Sequence, residues 1–257
     1  MTTIAHAAAA HRDEDRVPFE HALALALASQ ARLVSVHAGN EPDVEERLLG
    51  ADEVLRAWSH AGQIAHEKVI HTCCDDPVDT TLDALRRLQP DLLVVGTHAR
   101  TGIARWMMAS RAEALAENLP SPTLVVPIGA RPFVERGKLR LRRVLVPAGD
   151  PKSAKAACDA LSRLLARSSL PPGEVVLLKV GDGAPELPEL PLPDGWLCQV
   201  KRVQGPVAEA ITEAAQDVDL VVMATRGQDS FFDALVGTHT ERVFHAAPCP
   251  VLAVPLA

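Results

Sequence analysis

The chain contains no tyrosine, and its 257 residues include only 3 Trp and 5 Phe. The core must therefore be built from Leu, Val, Ile and Ala, and there is little aromatic surface on which nucleic-acid bases could stack. Positive charge is not in excess either: the formal net charge is -7, which argues against binding along a phosphate backbone. No apolar run approaches the roughly 18 residues of a membrane span. The opening residues carry no basic leader, and Arg12, Asp13, Glu14 and Asp15 end the first apolar run too early for a signal peptide. The five cysteines form no Cys-x-x-Cys pair, and Cys73 and Cys74 are adjacent. Reduced thiols in a cytoplasmic protein are the expectation. The sequence has no Gly-x-Ser-x-Gly elbow, no Walker A lysine motif and no His-Glu-x-x-His, so the usual nucleophilic and metalloenzyme patterns are missing.

What is present is a repeat. Asp91-Leu92-Leu93-Val94-Val95 returns as Asp219-Leu220-Val221-Val222-Met223, an offset of 128 residues. At the same offset, Pro120-Ser121-Pro122-Thr123-Leu124-Val125-Val126-Pro127 returns as Pro248-Cys249-Pro250-Val251-Leu252-Ala253-Val254-Pro255, and Glu113 meets Glu241 between them without a gap. Two matched ends at a fixed spacing indicate two copies of one domain. We place the first at residues 1–128 and the second at residues 142–257.

Each copy alternates strand and helix patterns. In the first copy strands are expected at 3–7, 31–37, 68–72, 91–96 and 123–127, with helices at 19–29, 44–67, 80–88 and 105–118. In the second copy strands are expected at 144–147, 174–180, 196–202, 220–223 and 250–255, with helices at 153–167, 207–215 and 231–246. Where the first copy has its long second helix, the second has residues 181–195, rich in Pro, Gly and acid, which predicts an extended loop. The alternation implies five parallel strands per copy with helices on both faces. The linker, 128–141, carries Arg131, Arg136, Lys138 and Arg140 and reads as a solvated connector.

In such a sheet, ligands sit beyond the carboxyl ends of the strands where strand order reverses. There the second copy has Ala224-Thr225-Arg226-Gly227 and, nine residues on, Gly237-Thr238. Glycine allows backbone N–H groups close to a phosphate, and a helix N-terminus adds positive potential. The segment resembles the universal stress protein family, whose nucleotide binders carry Gly-x-x-Gly, nine residues, then Gly and Ser or Thr. Also similar are Val144-Leu145-Val146-Pro147, Glu241-Arg242-Val243, Pro248 through Leu252, Gly96-Thr97-His98 and Pro122 through Pro127. The resemblance covers both halves and implies a tandem member: two flavodoxin-like (Rossmann-like) α/β domains packed as a pseudo-dimer, with the last strands, 123–127 and 251–255, pairing across the pseudo-twofold.

The resemblance further implies a non-catalytic stress-response protein that binds ATP or a related adenine nucleotide. The site would comprise Pro147, Gly149, Asp150, Val180, Ala224, Arg226, Gly227, Gly237 and Thr238. Both copies depart from the pattern. Ala224 replaces the first glycine of the second copy, and Ala99 and Ala109 replace two in the first, where Gly96 and Ser110 remain. The family's acid after the first strand falls on Gly149, with Asp150 one residue later, and has no counterpart among Ala7 to Ala10. An interaction module with both sites vestigial, recognising protein partners, is the alternative. A slow hydrolase would have to draw its base from Asp150, Asp229 or Asp233.

Smaller features complete the reading. His6, His37, His71 and His98 lie near strand ends, and with Cys73 and Cys74 they raise the question of a zinc site. Ordinary polar edge residues are the plainer expectation, and no metal is assigned. Cys158 and Cys249 are expected as core filler, and Trp106, Met107 and Met108 as packing between the copies. Further association of two chains is left open.

Overall fold

The computed structural model describes residues 2–72, 76–97, 112–168, 170–182, 188–225 and 239–256. The first half runs β1 (Thr3–Ala7), α1 (Arg12–Ser29), β2 (Arg32–Ala38), α2 (Val44–Arg47), α3 (Ala51–Ala57), β3 (His66–His71), α4 (Pro77–Leu88), β4 (Leu92–Thr97), α5 (112–118) and β5 (Thr123–Pro127). A hairpin follows, β6 (Val134–Glu135) and β7 (Lys138–Leu139). The second half runs β8 (Arg143–Pro147), α6 (Pro151–Ala166), β9 (Gly173–Val180), β10 (Trp196–Val203), α7 (Val207–Ala214), β11 (Leu220–Thr225), α8 (His239–Ala246) and β12 (Val251–Pro255).

Among the described residues, ten strands form one continuous sheet in the order β10-β9-β8-β11-β12-β5-β4-β1-β2-β3. Each half is internally parallel, as crossover helices require. The halves join through an antiparallel β12–β5 pair in which Val251 faces Val125, Leu252 faces Leu124 and Ala253 faces Thr123. This is the pairing expected of the two last strands, and it removes two sheet edges at once.

Alternation along the strands divides the core. Leu124, Val126, Leu252 and Val254 face the side covered by α1, α3 and α6. Val125, Val251 and Ala253 face the side covered by α4, α5, α7 and α8. The repeated aspartates are latches. Asp91 Oδ2 accepts from the Thr3 backbone N–H (2.8 Å), and Asp219 Oδ2 accepts from Arg142 (2.8 Å) and Arg143 (2.9 Å). In each half the residue before the fourth strand thus holds the start of the first strand in register.

Three expectations need correction. The long helix at 44–67 is two short ones. The chain breaks at Leu48, which is extended, and ends α3 at Trp58, before Ser59 turns left-handed at φ 55°. Buried Leu48 and Leu49 fill the core from the break, so packing overrides the helical pattern. The first helix starts at Arg12 rather than 19, with Asp13, Glu14 and Asp15 in its first turn, where the helix dipole favours acids. The linker is no mere solvated connector. Phe133, Val134 and Leu141 are buried, and the Arg136–Gly137 turn, with both φ positive, closes the β6–β7 hairpin. Arg131 donates to the carbonyls of Ala215 (3.3 Å) and Val218 (3.0 Å) in the second half. The Phe133 N–H donates to His21 Nε2 (3.3 Å) in the first half, so the linker clasps both.

In the second half, residues 188–195 carry neither helix nor strand, as the proline-rich composition predicts. Leu190 and Leu192 pack against the same core face that receives Leu49, Val54 and Leu55 in the first half, in place of the missing helix. Trp106, Met107 and Met108 lie outside the described residues.

Candidate functional site

β8 has β9 on one side and β11 on the other, so the chain leaves its carboxyl end at a strand-order reversal. Pro147 ends the strand, and the Ala148 N–H donates to the Leu178 carbonyl (2.8 Å), which sets the turn. Gly149 is exposed, and a Cβ built there would meet nothing within 4 Å. The Lys179 ammonium donates to the Gly149 carbonyl (3.0 Å), which places a cation beside the open turn. Val180 follows, half-buried at the end of β9. Asp150 Oδ1 accepts from the Ser153 N–H (3.0 Å) and caps α6, with Pro151 in the first turn. The acid one residue beyond the family position therefore has a structural role.

Across the crevice, Ala224 is half-buried and Thr225 is 1% exposed. Thr225 Oγ1 is buried and has no hydrogen-bond partner among the described residues. An orphaned hydroxyl at the carboxyl end of β11 is a donor available to a ligand atom. Arg226, Gly227, Gly237 and Thr238 lie outside the described residues, as do Asp229 and Asp233. The crevice thus combines an uncovered glycine turn, one ammonium, the amino end of a four-turn helix and a buried hydroxyl. That chemistry suits an anion.

The corresponding place in the first half is built differently. Ala7, Ala8, Ala9 and Ala10 are all buried, and the Ala8 carbonyl accepts from His37 Nδ1 (3.0 Å). His37 Nε2 lies 3.2 Å from Glu41 Oε2, so each ring nitrogen has an oxygen beside it. At the carboxyl ends of β4 and β5, a cavity of about 240 Å³ is lined by Asp13, Glu14, Thr97 and Pro127. Among the described residues of this lining there are two acids and no lysine or arginine, a balance that disfavours phosphate. His98, Ala99, Ala109 and Ser110 lie outside the described residues.

The histidines meet no thiol among the described residues. Instead a buried polar relay crosses the first half, and the sequence reading did not contain it. His66 Nδ1 accepts from the Ala51 N–H (3.2 Å), so the neutral ring carries its proton on Nε2, which donates to Ser35 Oγ (2.9 Å). Ser35 Oγ lies 3.4 Å from His6 Nδ1, and His6 Nε2 donates to Asp15 Oδ1 (3.1 Å). His6, Asp15 and Ser35 are at most 1% exposed, and Phe19 packs edge-on to His6 at 5.4 Å. The signal was available: Asp15 shares a helical stripe with the buried Pro18, Phe19 and Ala22, at spacings of three, four and seven. Among the described residues no group of three or more His, Cys, Asp or Glu side chains could hold a metal ion. His71 is half-buried on the edge strand β3, and Cys73 and Cys74 lie outside the described residues.

Cys158 and Cys249 are fully buried, and burial pushes their thiols up to about 11 and about 12. Because the thiolate is the reactive form, native protein treated with a disulfide reagent at pH 8 should label neither, whereas exposed Cys198 labels. Peptide mapping checks this; modification of Cys249 without unfolding would contradict its placement.

The universal stress protein family profile matches residues 7–127 and 197–255. The chain belongs to the universal stress protein family. A curated universal stress protein of Thermus aquaticus, named for the QAH/OAS sulfhydrylase 3′ region, is 37% identical over 98 residues. That match covers 37% of this chain and 61% of the relative's length. A crystal structure of a universal stress protein from Archaeoglobus fulgidus superposes with a TM-score of 0.70 at 16% identity, covering 99% of this chain and 96% of that one. A functionally unknown protein from Pseudomonas aeruginosa PAO1 does so with 0.68 at 14%, covering 100% and 93%. At these identities the structures speak for the fold alone: two flavodoxin-like halves sharing one sheet. Two matched family segments are what a tandem member shows.

Proposed function

We propose that this universal stress protein acts by binding and not by turnover, and that the crevice of its second half takes ATP or a related adenine nucleotide. The chain would be two repeats, residues 1–128 and 142–257, of which the first is a structural partner. The carrying observation is the uncovered Gly149 turn beside Lys179, set against the counterpart turn Ala7 to Ala10, whose residues are all buried. Thr225, Arg226, Gly227, Gly237 and Thr238 would receive phosphate, and Pro147, Gly149 and Val180 the base. A cytoplasmic location belongs to the same reading. Among the described residues no helix is long and apolar enough to cross a membrane. A ligand shifts a conformation only through differential affinity, so signalling would require the loop after β11 to prefer one form when nucleotide is bound.

The test uses the open space at Gly149. A Cβ added at Gly149 meets nothing within 4 Å, so Gly149→Val should fold with little change in stability while placing its methyl groups in the crevice. Calorimetric titration with ATP should show one site per chain in the wild type, weakened at least tenfold in the variant. No saturation in the wild type would leave the alternative: a vestigial pair of sites on an interaction module, with partners indifferent to added nucleotide.

A further inference from the structure

A second cavity lies far from the strand-end crevices, between α1 of the first half and α6 of the second. It measures about 170 Å³. Leu92, at the amino end of β4, and Leu252, from the central β12–β5 pair, contribute apolar floor. Leu25 of α1 and Leu164 of α6 form facing walls. The cavity exists because the two halves meet through their sheets, leaving the helices above the junction apart.

Its rim is charged. Arg163 on α6 and Arg167, which caps its carboxyl end, stand one helical turn apart, both are exposed, and neither has an ion-pair partner among the described residues. Asp91 lies on the rim too, its Oδ2 held by the Thr3 N–H (2.8 Å). Two guanidinium groups and one carboxylate leave one net positive charge. That balance favours a monoanion, and the aspartate opposes a second negative group. Paired guanidinium donors match the two oxygens of a carboxylate. The volume is close to the roughly 150 Å³ of an apolar cavity that holds benzene, so the ligand body is a small ring or a short branched chain.

We propose that this interdomain cavity binds a small monocarboxylate with a compact apolar body, its carboxylate on Arg163 and Arg167 and its body against Leu25, Leu92, Leu164 and Leu252. Such a ligand touches elements of both halves. It therefore stabilises their juxtaposition by mass action, independently of anything bound at Gly149.

Phenylacetate is the probe, used with the full chain and read by calorimetry and by ligand-observed NMR. Saturable binding at one site per chain and a rise in melting temperature are expected. Phenylacetamide, which has the same shape without the charge, should bind at least tenfold more weakly. The Arg163→Ala/Arg167→Ala variant should melt within a few degrees of wild type and lose at least tenfold in affinity for phenylacetate. Leu164→Trp, which fills the cavity, should abolish binding with both arginines present. The proposal is overturned if phenylacetate shows no saturation up to about 10 mM. Equal affinity for the amide overturns it too, as does full affinity in the double arginine variant or in Leu164→Trp.

Discussion

Val125→Asp should unfold the protein or cost about 4 kcal/mol or more, the scale of an unpaired buried charge. Val125 is fully buried on β5, opposite Val95 of β4 and Val251 of β12, so three valines form one rung across the junction. Among the described residues, nothing within that apolar layer can pair with a carboxylate. A small domain holds about 5–15 kcal/mol of stability, so the loss is a large share of the total. Val125→Ala removes two methyl groups and should cost about 2 kcal/mol. Urea denaturation followed by far-UV circular dichroism measures both. An aspartate variant with the wild-type midpoint would mean that the halves do not share one sheet.

Acid should destabilise the protein well before its carboxylates are protonated. His21 is fully buried. Its Nδ1 donates to the Val17 carbonyl (2.8 Å), and its Nε2 accepts from the Phe133 N–H (3.3 Å). A proton on Nε2 would set two donors against each other in an apolar site. Burial, only partly offset by the Val17 carbonyl, lowers the His21 pKa from 6.5 to about 4. Between those values the unfolded chain takes up a proton that the folded one refuses, so stability is complete above pH 6.5 and falls as pH drops toward 4. The full loss from His21 is about 3 kcal/mol. His66 shifts in the same direction, also to about 4, through burial and the neighbouring His6 and Lys68, and adds to the same window. Denaturant titrations at pH 7.5 and pH 4.5 should differ accordingly. In His21→Gln, whose Oε1 can accept from Phe133 without titrating, the difference should shrink by about 3 kcal/mol. An unchanged pH dependence in that variant would falsify the assignment. Because Phe133 belongs to the linker, acid should loosen the clasp between the halves first.

Whereas the pairing of the last strands came only through the family resemblance, the repeat and the alternation of strand and helix were legible in the chain. Each is a local pattern carried by residues such as Asp91 and Asp219, or Leu124 and Leu252. The glycine turn at Gly149 was legible for the same reason. The break at Leu48 was not, because a helical pattern of apolar residues continues through it and only the depth of the core decides that Leu48 and Leu49 turn inward. The linker's arginines read as solvated because charge says nothing of reach; Arg131 spans to the carbonyls of Ala215 and Val218 only once the second half is folded.

By itself, then, the sequence determined the family, the two-fold repeat and the alternation of strand and helix, since periodicity, turn chemistry and motif spacing act over short distances. Tertiary structure alone decided the relay from Asp15 to His66, the tautomer of His21, the capping role of Asp150 and the cavity between α1 and α6. Each depends on atoms brought within a few ångströms from positions far apart in the chain, and hydrogen-bond geometry and burial exist only after that approach.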